Sequence, residues 1–135
     1  ETGASFERPM ISSVFHTRLK KKMRLQTDPT VIYAKILVIG RLTKNITRKD
    51  LVRSSPYNTY KVKGLPPGPI ASPGKKALEA ALNPDGSPYI YFVSQNDGTH
   101  VFSRTLKEHN AAVRKYQMNP KARKGKSWRD LKKKK

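Results

Sequence analysis

Residues 57–70 read Tyr-Asn-Thr-Tyr-Lys-Val-Lys-Gly-Leu-Pro-Pro-Gly-Pro-Ile, a run that fits neither a helix nor a strand. Its three prolines each fix φ and lack an N–H, so the sequence predicts an ordered, extended loop. The polar pair Asn58 and Thr59 lies between Tyr57 and Tyr60. Together these four residues would offer aromatic rings and hydrogen bonds to a polar ligand. A rigid surface loop without any ligand explains the same residues when the loop is considered alone.

Three further motifs lie on either side of this loop. Residues 23–33 read Met-Arg-Leu-Gln-Thr-Asp-Pro-Thr-Val-Ile-Tyr, residues 89–93 read Tyr-Ile-Tyr-Phe-Val, and residues 100–103 read His-Val-Phe-Ser. In this order and spacing the motifs resemble the catalytic domain of the YceG-like (MltG-type) endolytic murein transglycosylases. The resemblance extends from Glu1 to about Tyr116, and it implies that the chain holds the C-terminal part of that catalytic domain.

Two segments depart from the family pattern. Between Tyr33 and Thr47 the family usually has a glycine-rich stretch, whereas residues 34–42 here read Ala-Lys-Ile-Leu-Val-Ile-Gly-Arg-Leu. The chain also ends in a lysine-rich extension that the family motif does not require.

Local signals predict an α+β chain with several short helices, a small antiparallel hairpin and ordered proline-rich loops. Pro9 suits a first helical turn, and apolar residues follow it at helical spacing. The other expected elements are helices at 29–34 (entered through Thr27 and Asp28), 47–51, 75–82 and 106–117, and strands at 89–94 and 100–103 joined by Asn96-Asp97-Gly98. The apolar pattern of the helix at 75–82 is Ala77, Leu78, Ala81 and Leu82. The candidate buried positions are Met10, Ile11, Val14, Phe15 and Leu19 in the first helix and Leu106, Ala112, Val113 and Tyr116 in the last.

Length and composition limit the chain to one domain with a modest core. We expect a partial catalytic domain over residues 1–117 and a basic, disordered tail over residues 118–135. The absence of cysteine excludes disulfides and cysteine-based zinc sites. No apolar run approaches the roughly 20 residues that span a bilayer. The chain begins at Glu1 without a signal-peptide pattern, so we interpret it as a piece of a longer protein.

The formal net charge of +20 would ordinarily suggest a nucleic-acid partner. Eleven of the Lys and Arg residues lie between Arg114 and the C-terminus, where only Asp130 opposes them. The aromatic residues cluster in the motif loops and strands instead. The sequence therefore lacks the alternation of basic and aromatic side chains that nucleic-acid binding needs. We interpret the tail as solvated charge, with contact to anionic lipid or cell-wall polymer as the alternative.

The resemblance implies a specific activity. Members of the family cut peptidoglycan strands internally at the MurNAc-β-1,4-GlcNAc bond and leave 1,6-anhydroMurNAc ends, which would terminate glycan elongation. Their catalytic acid is the second glutamate of a helix reading Ala-Ser-Ile-(Val/Ile)-Glu-Lys-Glu-Thr, and Glu1 matches that residue. No cofactor is implied. The parent protein would be anchored in the inner membrane near cell-wall synthases, with its catalytic domain in the periplasm.

Seven further residues are the expected substrate contacts. An amide, a carboxylate and rings in the matched motifs suit N-acetyl and hydroxyl groups; these residues are Gln26, Asp28, Tyr57, Asn58, Tyr60, His100 and Phe102. Asp28 as a helix N-cap and His100 as a plain strand residue remain open alternatives. Glu7 is interpreted as a helix-start carboxylate, and His16 and His109 as structural. The three histidines lack metal-ligand spacing, so no metal site is expected.

Three hypotheses for function follow. The first is the transglycosylase, the second a basic nucleic-acid-binding protein, and the third a catalytically inactive remnant of the enzyme. We expect the 135-residue piece itself to be inactive, because the α-amino group beside the Glu1 carboxyl favours its ionised form and the rest of the glutamate-bearing helix is absent.

Overall fold

The computed structural model describes residues 4–43 and 45–123, and it confirms the α+β class. A 3-10 turn at Ser5–Glu7 precedes the first helix. The elements that follow are α1 (Arg8–Lys20), α2 (Asp28–Ile39), α3 (Arg48–Leu51), α4 (Lys75–Leu82), β1 (Tyr91–Ser94), β2 (His100–Ser103), α5 (Leu106–Tyr116) and α6 (Pro120–Arg123). No helix within these described ranges is long and apolar enough to span a membrane.

The predicted domain contains two separately compact units. The hairpin unit comprises the described residues of 1–17 and 75–135, and the loop unit comprises the described residues of 18–74. The boundary falls inside α1, after Thr17.

The hairpin unit is built on the antiparallel pair β1 and β2, with Phe92 opposite Phe102. The turn between the strands uses left-handed backbone at Asn96 (φ 65°) and Gly98 (φ 94°), as the Asn-Asp-Gly signal predicts. Helix α5 packs on both strands. From α1, Ile11 and Val14 are buried, and the Phe15 ring meets Phe92 edge-on at 5.9 Å. The apolar stripe of the first helix is therefore core packing, as expected.

The loop unit has a small core that is unusually polar. Leu25, Val31 and Ala34 are its buried apolar side chains. The Arg18 guanidinium is also buried and donates hydrogen bonds to the Arg24 and Leu25 carbonyls. Residues 53–74 contain no helix or strand, which confirms the predicted loop.

Helix α2 runs to Ile39, so the predicted end at Ala34 is wrong. The run after Ala34 contains no glycine or proline before Gly40, and nothing earlier stops the helix. Gly40 adopts a left-handed φ of 72° and its N–H bonds to the Ile36 carbonyl, which ends the helix.

Two helices of the hairpin unit expose leucine side chains. In α4, Leu78 and Leu82 are exposed and Ala80 is the buried residue. Leu106 is exposed because it begins α5, while Ala112 is buried as expected. Helix α6 lies inside the segment predicted to be a disordered tail, and residues 124–135 of that segment lie outside the described residues.

Candidate functional site

The expected site residues fall into two clusters, one in each unit. The tyrosine-loop cluster consists of Gln26, Asp28, Tyr57, Asn58 and Tyr60, all in the loop unit. The histidine cluster consists of His100 and Phe102, to which the structure adds Glu7 and Phe92. Glu1, the expected catalytic acid, lies outside the described residues.

A threonine pair joins the two motifs of the tyrosine-loop cluster. The hydroxyl oxygens of Thr30 and Thr59 lie 2.8 Å apart, and both residues are buried. The Thr27 N–H donates to the Thr59 hydroxyl at 3.0 Å, and the Gln26 N–H donates to the Thr59 carbonyl at 3.3 Å. Residues 26–30 are therefore held against residue 59, although some thirty positions separate them in sequence.

Asn58 has a different place from the one expected. It is fully buried, and its side-chain amide donates to the carbonyls of Leu51 (3.0 Å) and Arg53 (2.8 Å). Its Oδ1 accepts a hydrogen bond from the Tyr60 N–H at 3.0 Å. Both amide hydrogens and the carbonyl oxygen are thus used inside the protein. In this conformation the Asn58 side chain ties the loop to residues 51, 53 and 60.

The buried carboxylate of Asp50 stabilises the segment whose carbonyls accept hydrogen bonds from Asn58. Asp50 forms a capping box with Thr47, in which the Thr47 N–H donates to Oδ2 at 2.8 Å. The Lys35 ammonium lies 2.8 Å from the same oxygen, and Arg53 donates to Oδ1 at 3.2 Å. The Lys35 hydrogen bond, helped by Thr47 and Arg53, holds the pKa of Asp50 well below its usual range. This network fixes α3 and the following residues, whose carbonyls bond Asn58.

The outer layer of the tyrosine-loop cluster is accessible. The Tyr60 hydroxyl donates to Asp28 Oδ1 at 2.7 Å on the exposed surface. Asp28 is the first residue of α2, and the cap position belongs to Thr27, so Asp28 is not the N-cap. Gln26 is exposed and holds a left-handed φ of 50°, a strained conformation for a non-glycine residue.

Tyr57 packs against another aromatic residue of the loop unit. Its ring lies 4.8 Å from the Tyr33 ring at an interplanar angle of 55°. The proline-rich run passes close by, since a Cβ added at Gly68 would lie 3.5 Å from the Tyr57 hydroxyl oxygen. The loop unit therefore holds an exposed amide and carboxylate at Gln26 and Asp28 and half-buried phenol rings at Tyr57 and Tyr60.

The histidine cluster is built on a pair that spans 93 sequence positions. Glu7 accepts two hydrogen bonds from His100: the backbone N–H meets Oε1 at 2.8 Å, and the ring Nδ1 lies 2.9 Å from Oε2. An ionised Glu7 requires the Nδ1–H form of the imidazole. The side chains are only 4% and 10% exposed, respectively. The pair ties the start of α1 to β2.

Aromatic rings surround the imidazole of His100. Phe92 lies edge-on at 5.5 Å between ring centroids, and Phe102 lies at 6.5 Å. Sequence reasoning assigned Glu7 only to the helix start and missed this contact. No local spacing signals it, because the partners meet only when the hairpin folds onto the start of the chain.

The two remaining histidines have structural contacts, in agreement with their interpretation. His16 Nε2 lies 2.8 Å from the Ala81 carbonyl oxygen. His109 stacks on Tyr91 at 4.9 Å with the rings 19° apart. Among the described residues, no group of three or more His, Cys, Asp or Glu side chains could hold a metal ion.

Comparison with known proteins agrees with the motifs. A model of the YceG-like family matches residues 1–115. The chain belongs to the YceG-like family. It is 54% identical over 116 residues to the endolytic murein transglycosylase of Bacillus subtilis (strain 168), a match that covers 86% of this chain and 31% of that protein. The endolytic murein transglycosylase of Streptococcus pneumoniae (strain D39) is 34% identical over 119 residues, with 84% and 21% covered.

A solved structure supports the fold. The crystal structure described as a putative yceG-like protein from Listeria monocytogenes superimposes with a TM-score of 0.69 at 53% identity. The superposition covers 78% of this chain and 32% of the Listeria chain. The present chain thus spans less than a third of the length of each of these relatives.

Proposed function

We propose that this chain is part of the catalytic domain of an endolytic peptidoglycan lytic transglycosylase. The observation that carries the proposal is the 54% identity over 116 residues to a protein named for that activity. The whole protein would cleave the MurNAc-β-1,4-GlcNAc bond within glycan strands and leave 1,6-anhydroMurNAc ends. It would work outside the cytoplasm, held at the inner membrane beside the cell-wall synthases.

The reaction needs one well-placed carboxyl group. A general acid protonates the leaving glycosidic oxygen while oxocarbenium character develops at the muramic acid. The C6 hydroxyl of that sugar then attacks C1, and the same carboxylate accepts the hydroxyl proton, so atoms and charge balance without water or metal. We assign this role to Glu1, on its match to the family glutamate.

The tyrosine-loop cluster would hold the glycan. Asp28 and Tyr60 together offer a carboxylate and a phenol 2.7 Å apart, which can bond sugar hydroxyls. The exposed Gln26 amide suits an N-acetyl group, and Tyr57 supplies a ring face. Asn58 acts beneath them as a positioning residue, because its Oδ1 fixes the Tyr60 backbone.

The histidine cluster would contribute to the activity by fixing the position of the segment around Glu7. Glu7 lies six residues after Glu1, and its two hydrogen bonds fix this part of the chain to His100. His100 and Phe102 are proposed substrate contacts through the small part of each residue that reaches solvent. Glu7 is the residue that orients the imidazole.

The test is the chemistry of the product. The chain extended upstream through the family's glutamate-bearing helix should digest purified sacculi to fragments with 1,6-anhydro ends, as read by mass spectrometry. Glu1→Gln in that longer protein should abolish cleavage. Products that carry only reducing ends would mean hydrolysis and would refute the proposal.

A further inference from the structure

The last turn of α2 exposes apolar side chains on several sides. Leu37, Val38 and Ile39 are 56%, 65% and 40% exposed, and Leu42 beyond the helix end is 74% exposed. We call these four residues the apolar tip. Successive helical residues are separated by about 100° around the axis. The first three members therefore face different directions, and the end of the helix projects into solvent.

The core of the loop unit does not account for the apolar tip. The buried residues of α2 are Thr30, Val31 and Ala34, and burial stops there. Ile39, the last helical residue, belongs to the exposed end. Large exposed apolar patches usually mark a contact with a membrane or a partner, and these four exposed side chains lie within six successive residues.

Exposed cations lie close to the apolar tip in sequence. Arg41 lies within its range, and Arg48 and Lys49 follow Leu42 by six and seven residues. Asp50 is the sole carboxylate between residues 29 and 78, and it is buried and ion-paired to Lys35 and Arg53. The loop unit as a whole has thirteen Lys and Arg against two carboxylates. This charge complements an anionic surface.

We propose that the apolar tip inserts into the headgroup region of an anionic lipid bilayer, with Arg41, Arg48 and Lys49 contacting the lipid phosphates. Apolar side chains bordered by cations are the pattern of interfacial membrane binding. A second copy of the chain fits less well, because pairing two tips would bring like charges together. The contact goes beyond the proposed cleavage, which needs no lipid, and would place the domain against the membrane surface.

A single tryptophan can report insertion directly. The chain has one tryptophan, Trp128, so Trp128→Phe gives a silent background for Leu42→Trp. We expect the emission of Leu42→Trp to shift to the blue on phosphatidylglycerol vesicles and to be quenched by brominated lipid. The matched control is Leu82→Trp on α4, where the leucine is 82% exposed, and its emission should stay unchanged. Unchanged emission of Leu42→Trp in vesicle-bound protein would overturn the proposal.

A second pair of variants separates the apolar tip from the basic tail. At about 1 M salt the Debye length falls to about 3 Å, so binding through exposed charge alone is lost. Under these conditions the Leu37→Ser/Leu42→Ser variant should bind phosphatidylglycerol vesicles at least about tenfold more weakly than the parent chain. Leu78→Ser/Leu82→Ser should bind as the parent does, and circular dichroism checks that both fold.

Sedimentation of the parent chain without lipid completes the test. A monomer supports the proposal. Self-association that the tip variant abolishes, together with unaltered vesicle binding, would assign the apolar tip to a second copy of the chain and refute the lipid contact. Neither outcome depends on glycan cleavage, so failure here is separable from failure of the proposed function.

Discussion

The tyrosine-loop cluster and the histidine cluster both come from motifs of one family, yet they use their polar groups differently. In the tyrosine-loop cluster the pair Asp28 and Tyr60 is exposed, and a buried polar layer of Thr30, Asn58 and Thr59 lies beneath it. In the histidine cluster the carboxylate and imidazole are themselves the buried layer. A polar residue of these clusters can therefore be open to solvent, as Asp28 is, or held almost entirely inside the protein, as Glu7 is.

This difference predicts two kinds of defect. When a substitution removes one partner of a buried polar pair, the other partner stays buried without a hydrogen bond and its full desolvation penalty is felt. Such substitutions should lower stability most. Exposed hydrogen bonds compete with water and should change stability little while altering glycan binding. The substitutions below test this division, from the largest expected effect on stability to the smallest.

The largest effect is expected from Glu7→Ala. It leaves the His100 N–H and imidazole without their acceptor in a buried site, which should lower the free energy of unfolding by about 3 kcal/mol. Urea denaturation followed by circular dichroism measures this. The control is Glu79→Ala in the same unit, whose carboxylate is exposed 3.9 Å from Lys75, and it should change stability by less than about 0.5 kcal/mol. Equal changes in the free energy of unfolding for the two substitutions would mean that the buried Glu7–His100 pair stabilises the fold no more than an exposed ion pair does.

The next effect tests the place of Asn58. Asn58→Ala leaves the Leu51 and Arg53 carbonyls and the Tyr60 N–H unpaired, and should cost about 2 kcal/mol or more. Asn110→Ala, at an exposed position of α5, should be neutral or slightly stabilising, since alanine has the higher helix propensity. If Asn58→Ala kept full stability but lost glycan binding, Asn58 would be a ligand contact, as the sequence first suggested.

The Asp50 network makes stability depend on pH. The pKa of Asp50 is lower in the folded protein than in the unfolded chain, where it is about 3.9. Its contribution is thus complete above that value and is lost as pH falls toward the folded-state pKa. The stability difference between the parent chain and Asp50→Asn should be constant from neutral pH to about pH 5 and should shrink below about pH 4. Urea midpoints at several pH values measure it. A difference that does not change with pH would contradict the ion-pair account.

The smallest effect on stability is expected from Tyr60→Phe. It removes one exposed hydrogen bond to Asp28 and should cost less than about 1 kcal/mol. Glycan affinity should nevertheless fall by about tenfold, since a sugar loses a direct partner. Tyr116→Phe, in the hairpin unit, is the matched control and should bind as the parent does. A large loss of stability with unchanged glycan affinity would show that the Tyr60 hydroxyl stabilises the fold and does not bind glycan.

Local signals in the sequence determine several elements well. The helix at 75–82 follows Pro73-Gly74 and ends before Asn83-Pro84, and the structure has these bounds for α4. The strand at 100–103 and the Asn-Asp-Gly turn are also confirmed. These features depend on residues close together in the chain, so local propensity is sufficient.

The roles of buried polar residues could not be predicted in the same way. Asn58 lies between two tyrosines and looks like a surface residue, but its partners Leu51 and Arg53 become available only once α3 is capped. Glu7 meets His100 across 93 positions. Such contacts depend on the packing of distant elements, which single-sequence patterns do not encode. The family resemblance located these motifs but did not indicate which of their residues would be buried.

We propose that glycan lies on the exposed layer of the tyrosine-loop cluster. Amide chemical shifts of the chain, followed during titration with soluble uncross-linked glycan strands, test this directly and suit weak binding. We expect shifts concentrated at Gln26, Asp28 and Tyr60 that weaken strongly in Tyr60→Phe. Shifts confined to lysine- and arginine-rich segments, and unaltered in Tyr60→Phe, would show that the glycan binds through charge alone and would contradict the claim.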